Sequence, residues 1–247
     1  MKKLKRELLS APTRAFLDER TQQVFSSEAP KEEAQRLWKQ QDNQAFKEIR
    51  AKLEAMATGL QRCMYCEDSA ATDIEHFWPK SKYPERAFSW TNYLLACSGC
   101  NSNHKREQFP LDEADTPLLI DPTAEDPQEH LVLSVTTGKF RPKKRGGQES
   151  SKGRNSIGVF GLGRDQLERG RKNAWIALPA LLLRYGDARL RGDTKLANGV
   201  EQTVREHPFA SVFVWFISIA SGPSAARFID EHCLVVLAKH PEIKGWL

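Results

Sequence analysis

Between Cys63 and Lys105 the chain reads CMYCEDSAATDIEHFWPKSKYPERAFSWTNYLLACSGCNSNHK. Near its two ends this stretch carries two C-x-x-C pairs, Cys63/Cys66 and Cys97/Cys100. Four thiolates in two such pairs are a usual ligand set of a tetrahedral structural zinc ion. We therefore predict that these four cysteines hold one structural Zn²⁺.

The spacing of the two pairs differs from that of a simple zinc ribbon. Thirty residues separate them, whereas about 15–20 is common, so something is inserted between the two knuckles. A redox role needs only one C-x-x-C and a surrounding βαβ pattern, which this sequence lacks. Disulfides are rare in cytosolic proteins, which also favours a metal. The fifth cysteine, Cys233, stands alone in an apolar segment and is expected to be a buried small hydrophobe.

The insert contains polar residues that suit catalysis. Glu75 and His76 follow a short β-type run and precede Pro79, which places both at the end of a strand. Adjacent strand residues point to opposite faces, but these two side chains can converge if the strand ends between them. A Glu-His pair alone is a weak signal of a functional site, but the signal becomes strong between two knuckles and when Asn92 and Asn101 follow. Histidine titrates in the range of a general base, and carboxylate and amide oxygens suit Mg²⁺ or Mn²⁺.

The order C-x2-C, E-H-x2-P, Asn92 and C-x2-C-N resembles the HNH, or ββα-metal, nuclease family over residues 63–105. The resemblance implies an endonuclease that hydrolyses DNA phosphodiester bonds with Mg²⁺ or Mn²⁺. It also implies a ββα-metal HNH hairpin built around the zinc site. With the helical flanks described below, the predicted fold class is α+β and mainly α-helical.

The resemblance assigns a role to each matching position. His76 would be the general base that deprotonates the attacking water, and Asn92 would orient His76 and steady the hairpin. Glu75 stands where the family usually has Asp, and it would bind the catalytic metal. Asn101 would be the second ligand of that metal.

One position departs from the family pattern. The family often has Lys four residues after the last cysteine, where this chain has His104 and then Lys105. If a helix begins at Cys100, His104 lies on the same face as Asn101. His104 is then a third metal ligand, a phosphate contact or a neutral substitution, and these three readings stay open.

Basic residues in and beyond the hairpin are candidates for phosphate contacts. Exposed lysines are also common on protein surfaces that bind nothing, so each has an ordinary alternative explanation. The candidates for nucleic-acid binding are Lys80, Lys82, Lys105, Lys143, Lys144 and Arg145.

Charge is divided unevenly along the chain. The formal net charge is +4 over residues 1–62, −8 over residues 63–138 and +9 over residues 139–247. Basic flanks around an acidic centre suit a protein whose outer parts hold a polyanion while its centre binds cations. Solvated helix surfaces explain part of the basic charge equally well.

Hydropathy and turn patterns divide the chain into four segments. These are an N-terminal helical segment (1–59), a nuclease core with zinc knuckles (60–110), an acidic then basic connecting region (111–156) and a C-terminal helical domain (157–247). Within them we predict helices over 13–25, 30–57, 164–185, 194–206, 208–221 and 223–239, one strand over 131–137, and a mobile basic loop over 139–154.

Motifs from other parts of the chain point to a smaller group within this nuclease family. The basic start MKKLKR, the run EHFWPKSKYP, the later WTN and CSGCN, and NSIGVFGLG before a helix resemble the retron-associated and Septu-type HNH endonucleases of bacterial anti-phage defence. This resemblance implies an effector nuclease that acts on double-stranded DNA beside an ABC-like ATPase partner.

No stretch approaches the ~18–20 apolar residues of a membrane span, and no apolar region follows the basic start as in a secretory signal. We therefore expect a soluble, cytoplasmic protein with no membrane association. Two alternative functions remain. A non-catalytic zinc module that binds nucleic acid or a partner would keep the cysteines but would not need Glu75, His76 and Asn92. An RNA-directed HNH nuclease would use the same residues, because the chemistry can attack either backbone.

Overall fold

The computed structural model describes every residue from Met1 to Leu247. The helices are Ala11–Phe25 (α1), Pro30–Trp38 (α2), Gln44–Met56 (α3), Ser151–Val159 (α4), Asp165–Leu190 (α5), Thr194–Glu206 (α6), Ala210–Ala220 (α7), Ala225–Phe228 (α8) and Glu231–Lys239 (α9). The strands are Asp73–His76 (β1), Tyr93–Ala96 (β2), Leu131–Leu133 (β3), Phe140–Pro142 (β4), Lys144–Arg145 (β5) and Gln148–Glu149 (β6). The prediction of a mainly α-helical α+β protein is confirmed.

Strands β1 and β2 form an antiparallel hairpin between the two cysteine pairs. The register pairs Asp73 with Ala96 and His76 with Tyr93. Every residue of β2 is buried, so this strand anchors the hairpin in the protein interior. A π-helical turn over Gly99–Lys105 follows β2. The pairs β3–β4 and β5–β6 form two further two-stranded sheets.

The N-terminal helices correct one prediction, because residues 30–57 do not form a single helix. Helix α2 ends at Trp38, and α3 begins after Asn43. The Asn43 side chain accepts a hydrogen bond from the Phe46 amide at 3.0 Å, which is the N-cap role that asparagine favours. The chain therefore turns between the two helices, and this turn leaves Trp38 at the end of α2.

The basic stretch 139–154 is ordered, so the prediction of a mobile loop is wrong. Its first part, β4, pairs with β3, and the predicted strand over 131–137 is correspondingly shorter. Strands β5 and β6 are joined by Gly146 and Gly147, whose φ angles are +55° and +82°. Two successive positive φ angles are what a tight two-residue hairpin turn requires. The Ser150 hydroxyl then accepts a hydrogen bond from the Gly153 amide at 3.1 Å and caps α4.

The C-terminal helices pack around α5, which contacts α6, α7 and α9. Helix α5 continues to Leu190, beyond its predicted end. The predicted helix over 223–239 is interrupted, because α8 ends at Phe228 and Asp230 begins a new cap. The Asp230 carboxylate accepts a hydrogen bond from the His232 amide at 2.9 Å at the start of α9. Cys233 is fully buried in this helix, as predicted.

One continuous apolar core joins all these parts. It includes Leu37 and Leu53 of the N-terminal helices, Leu94 of the hairpin, and Leu182 and Phe216 of the C-terminal helices. The hairpin therefore packs in the same core as both helical flanks. None of the helices combines the length and the apolar character needed to cross a bilayer.

Two glycines of α4 test whether this part of the chain is ordered. A Cβ added at Gly153 would lie 2.1 Å from the His130 carbonyl oxygen, whereas nothing lies within 4 Å of one added at Gly158. Gly153→Ala should lower the free energy of unfolding by about 1–3 kcal/mol, a typical cost of overpacking. Gly158→Ala should leave it unchanged or raise it by up to about 1 kcal/mol, because alanine has the higher helix propensity. Urea unfolding measures both, and equal effects of the two substitutions would contradict the packing of α4.

Candidate functional site

The four cysteines of the two C-x-x-C pairs converge on one point. Their sulfur atoms all lie within 4.8 Å of one another, and the sulfurs of Cys66 and Cys97 are 3.8 Å apart. A tetrahedral zinc ion with Zn–S bonds of ~2.3 Å places its sulfurs about 3.8 Å apart. All four residues are buried and none forms a disulfide. The cluster therefore fits one closed, thiolate-ligated zinc ion, as predicted.

The cluster is assembled by backbone hydrogen bonds within and between the knuckles. The Glu67 amide donates to the Cys63 carbonyl at 2.9 Å, and the Asn101 amide donates to the Cys97 carbonyl at 2.9 Å. The Met64 amide donates to the carbonyl of Leu95 in β2 at 2.9 Å. The first knuckle is thus tied to the strand that leads into the second knuckle.

The positively charged side chain of Arg164 lies against the sulfurs. This residue was not identified from the sequence. Arg164 Nη2 donates to Cys100 Sγ at 3.1 Å, and its charge offsets the net negative charge of four thiolates around a divalent ion. This close approach needs a glycine, since a Cβ at Gly99 would lie 2.7 Å from Arg164 Nη1. A positive charge beside the sulfurs favours the thiolate form that a metal needs.

A second site lies in a cleft of about 420 Å³ between the end of α2 and the β1–β2 hairpin. The cleft contains four of the predicted site residues, Glu75, His76, Lys80 and Asn101. Its full lining is Gln35, Trp38, Lys39, Ile74, Glu75, His76, Pro79, Lys80, Ser81, Asn101, Arg106 and Glu107. The structure thus brings the candidate base and both candidate metal ligands together.

His76 is buried and held in one tautomer by the backbone. Its Nε2 lies 3.0 Å from the Ala87 carbonyl oxygen. A carbonyl only accepts hydrogen bonds, so Nε2 carries the proton and Nδ1 keeps a lone pair. No group of the chain bonds Nδ1. Burial, with added repulsion from the charges of Lys80 and Lys105, lowers the pKa of His76 to about 3, so the imidazole is neutral at physiological pH.

Asn92 does not touch His76 but fixes the loop around it. Its Oδ1 accepts from the Trp78 amide at 2.7 Å, and its Nδ2 donates to the carbonyls of Trp78 and Arg86 at 3.0 and 2.9 Å. Trp78 follows the strand end that carries His76, and Arg86 precedes the carbonyl that His76 bonds. Asn92 is therefore placed to position the imidazole through its backbone neighbours.

Glu75 is paired with a lysine in the protein interior. Lys105 Nζ lies 2.7 Å from Glu75 Oε1 and donates to the His76 carbonyl at 2.9 Å. Burial raises the pKa of Glu75, and the charge of Lys105 opposes that rise. Lys105 is fully buried, so the prediction that it contacts phosphate does not fit its position. It supports the two residues at the strand end instead.

The π-helical turn explains why Lys105, and not His104, reaches this place. A π-helix has i→i+5 hydrogen bonds and holds more residues per turn than an α-helix, and here the Arg106 amide donates to the Asn101 carbonyl at 2.7 Å. The His104 ring packs against Gly161 instead, where an added Cβ would lie 2.6 Å from it. The structure therefore does not bring His104 into the cleft with Glu75 and Asn101.

A further oxygen donor, Asp73, was missed by the sequence reading. Asn101 Nδ2 donates to Asp73 Oδ2 at 3.1 Å, and Asp73 shares one face of β1 with Glu75 because strand residues alternate. The sequence did contain a signal for it, because Asp73 and Glu75 stand two residues apart in DIEH, the spacing that puts two strand residues on one face. Glu75 Oε1 faces Lys105 Nζ at 2.7 Å, and no group of the chain bonds Asn101 Oδ1. Carboxylate and amide oxygens are the kinds of donor that Mg²⁺ and Mn²⁺ prefer.

Trp38, which the sequence analysis did not identify as a site residue, forms a wall of the cleft. Its ring centroid lies 4.2 Å from that of His76, and Lys80 Nζ lies 5.4 Å from the same ring. The N-terminal helical segment thus contributes directly to the site. The predicted nucleic-acid contacts Lys82, Lys143, Lys144 and Arg145 do not line the cleft.

No protein-family model matches this chain. It is similar to two proteins that are both named Septu protein PtuB. The one from Bacillus mycoides (strain KBAB4) is 32% identical over 200 residues, which cover 65% of this chain and 65% of that protein. The one from Bacillus thuringiensis is 30% identical over 90 residues, which cover 33% of this chain and 32% of that protein. The chain thus spans less than two thirds of the length of these relatives, and the similarity supports the predicted likeness to Septu-type proteins.

Zinc analysis tests the cysteine cluster. The wild-type protein should contain one zinc ion per chain by inductively coupled plasma mass spectrometry. Cys97→Ser should lose the zinc and be unfolded or insoluble, because structural zinc contributes about 10–16 kcal/mol of apparent binding free energy in zinc-finger peptides. Cys233→Ala is the matched control and should keep the zinc, since Cys233 lies outside the cluster. Wild-type protein that folds without any metal would contradict the assignment.

The buried ion pair makes a separate prediction for stability. Lys105→Met should lower the free energy of unfolding by about 3–5 kcal/mol, because it leaves the Glu75 carboxylate buried without its partner. Adding Glu75→Gln to Lys105→Met should recover part of that loss. Lys82→Met, at an exposed position, should change stability by less than about 0.5 kcal/mol. Denaturant unfolding of the four proteins provides the test, and a Lys105→Met protein as stable as wild type would refute the pairing.

Proposed function

We propose that this chain is a metal-dependent HNH-type endonuclease that hydrolyses phosphodiester bonds in double-stranded DNA. The observation that carries the proposal is the position of His76. Its imidazole is neutral, held by the Ala87 carbonyl at 3.0 Å, and shares a cleft with the oxygen donors Glu75 and Asn101. A general base beside a hard cation site is the arrangement that phosphodiester hydrolysis requires.

The chain's own residues supply the proton transfer and the positioning. His76 Nδ1 is the nitrogen free to take a proton from an attacking water, while Nε2 remains bonded to Ala87. A bound Mg²⁺ or Mn²⁺ would supply neutralisation of the charge that develops on the phosphate and on the leaving oxygen. Glu75 and Asn101 would hold that ion, with Asp73 bonded to the Asn101 amide.

The low pKa of His76 suits a base that must be unprotonated before substrate arrives. Burial is the main cause of the shift, and Lys80 and Lys105 add to it. A phosphate entering the cleft brings negative charge, which favours the protonated imidazole. That charge also offsets the repulsion that Lys80 and Lys105 exert on the imidazolium.

The cysteine cluster has a structural role in this proposal. Four thiolates leave no open coordination position for water or substrate, unlike a catalytic zinc site. The cluster holds the hairpin, and the reaction takes place in the cleft beside it.

We further propose that the nuclease is the effector of a Septu-type anti-phage defence system and acts with an ABC-like ATPase partner. The similarity to two proteins named Septu protein PtuB supports this role. A non-catalytic zinc module would need the cysteines, but not a histidine oriented by a carbonyl or an asparagine that ties its loop with three hydrogen bonds.

Plasmid nicking in the presence of Mg²⁺ or Mn²⁺, with and without the candidate ATPase, tests the proposed activity. His76→Ala should reduce the cleavage rate by about 10²–10⁴-fold, the usual contribution of a general base, with zinc content unchanged. His232→Ala is the matched control, because that side chain is 84% exposed and distant in sequence from the hairpin.

An active His76→Ala protein would show that the base is wrongly assigned. Wild-type protein that cleaves RNA but not DNA would favour the RNA-directed nuclease. Wild-type protein that cleaves neither, alone or with the ATPase, would favour the non-catalytic zinc module.

A further inference from the structure

Most basic side chains of the stretch 139–154 are already bound by neighbouring groups of the protein. Five of its seven basic residues form ion pairs with carboxylates. The pairs are Lys139–Glu168 at 3.7 Å, Lys144–Glu149 at 3.9 Å, Arg145–Glu129, Lys152–Glu125 at 2.8 Å and Arg154–Glu149 at 2.8 Å. A sixth, Lys143, donates to the Gln128 carbonyl oxygen at 2.8 Å. Phosphates would have to compete with these carboxylates, so this stretch is a poor polyanion site despite its composition.

The cationic side chains of the cleft, by contrast, have no carboxylate partners. Its rim carries Lys39, Lys80 and Arg106, none of which forms an ion pair, and Glu107 is the only carboxylate of the lining besides Glu75. Because Glu75 is already paired with the buried Lys105, the remaining lining has a net charge of +2. Lysine and arginine side chains without carboxylate partners can bind the phosphates of a nucleic-acid backbone. Their binding is favoured because it releases the counterions condensed on that backbone.

Three separate elements bring these cations together. Lys39 directly follows α2, Lys80 follows the strand end of β1, and Arg106 ends the π-helical turn. Arg106 has a φ of +49°, a conformation that is costly for a residue with a side chain. Its Nε donates to the Ser102 carbonyl at 3.2 Å, while both terminal nitrogens of the guanidinium have no partner in the chain. Strained backbone residues cluster at binding sites, and a guanidinium with both terminal nitrogens unpaired can form two hydrogen bonds to one phosphate.

We infer that Lys39 and Arg106 bind the backbone phosphates next to the scissile phosphate, and that the stretch 139–154 does not hold the substrate. The inference rests on the proposed nuclease function and adds the contacts that hold its substrate. Lys80 lies deeper, above the Trp38 ring, and faces the scissile phosphate itself. The N-terminal helical segment is then part of the substrate-binding surface through Lys39.

Two matched double variants test this inference in a His76→Ala background, which prevents cleavage during the measurement. One is Lys39→Ala with Arg106→Ala, and the other is Lys144→Ala with Arg145→Ala. All four side chains are exposed, and each variant removes one lysine and one arginine. Binding of a fluorescent DNA duplex is followed by anisotropy over a range of salt concentrations, with zinc content and circular dichroism as checks on folding.

The cleft variant should bind about 10–100-fold more weakly near 0.1 M salt, and its salt slope should fall by about two, one unit for each lost phosphate contact. The control variant should change the slope by less than about half a unit. An unchanged slope in the cleft variant, or equal losses in both variants, would overturn the inference. If that happens while wild-type protein still nicks plasmid, the proposed nuclease function stands. Wild-type protein that neither binds nor cleaves DNA would overturn both.

Discussion

The four-cysteine cluster is the constraint on which the rest of this structure depends. It joins the first knuckle, at Cys63 and Cys66, to the end of β2 and the start of the π-helical turn, through Cys97 and Cys100. The hairpin between them has only two strands of four residues each, and a two-stranded sheet is marginally stable at best by itself. One tetrahedral ion bound by the four cysteines would hold these segments together. Because the metal site does not exist in the unfolded chain, the free energy of metal binding contributes directly to the free energy of folding.

The rigidity of the hairpin matters because the cleft is assembled from several elements. Ala87 orients the His76 imidazole from the loop between the strands, and Asn92 ties that loop at both ends. Lys105 reaches the strand end from the π-helical turn, and Trp38 closes the cleft from α2. A shift of any one element would move the His76 imidazole relative to Glu75 and Asn101. A fixed frame of this kind is what general-base and metal-assisted hydrolysis both need.

The parts of the site that the sequence predicts are those that lie within one contiguous motif. The cysteine knuckles and the Glu75-His76 pair are recognisable because their spacing is set by local geometry. Trp38 was not predicted as a site residue, since nothing local shows that the helix stops there and meets the hairpin. Lys105 looked like a surface cation, because its burial depends on the extra residue in a π-helical turn. The stretch 139–154 has the composition of a loop, and tertiary packing orders it.

We propose that a cysteine-held zinc fixes a hairpin whose neighbouring cleft holds a separate hydrolytic metal. Anomalous X-ray scattering from crystals grown with manganese chloride, measured on both sides of the zinc and manganese absorption edges, tests it most directly. We expect a zinc peak surrounded by the four cysteine sulfurs and a separate manganese peak beside Glu75 and Asn101. Crystals with zinc at the cysteines but no manganese in the cleft at saturating concentration, or with no metal at the cysteines, would contradict it.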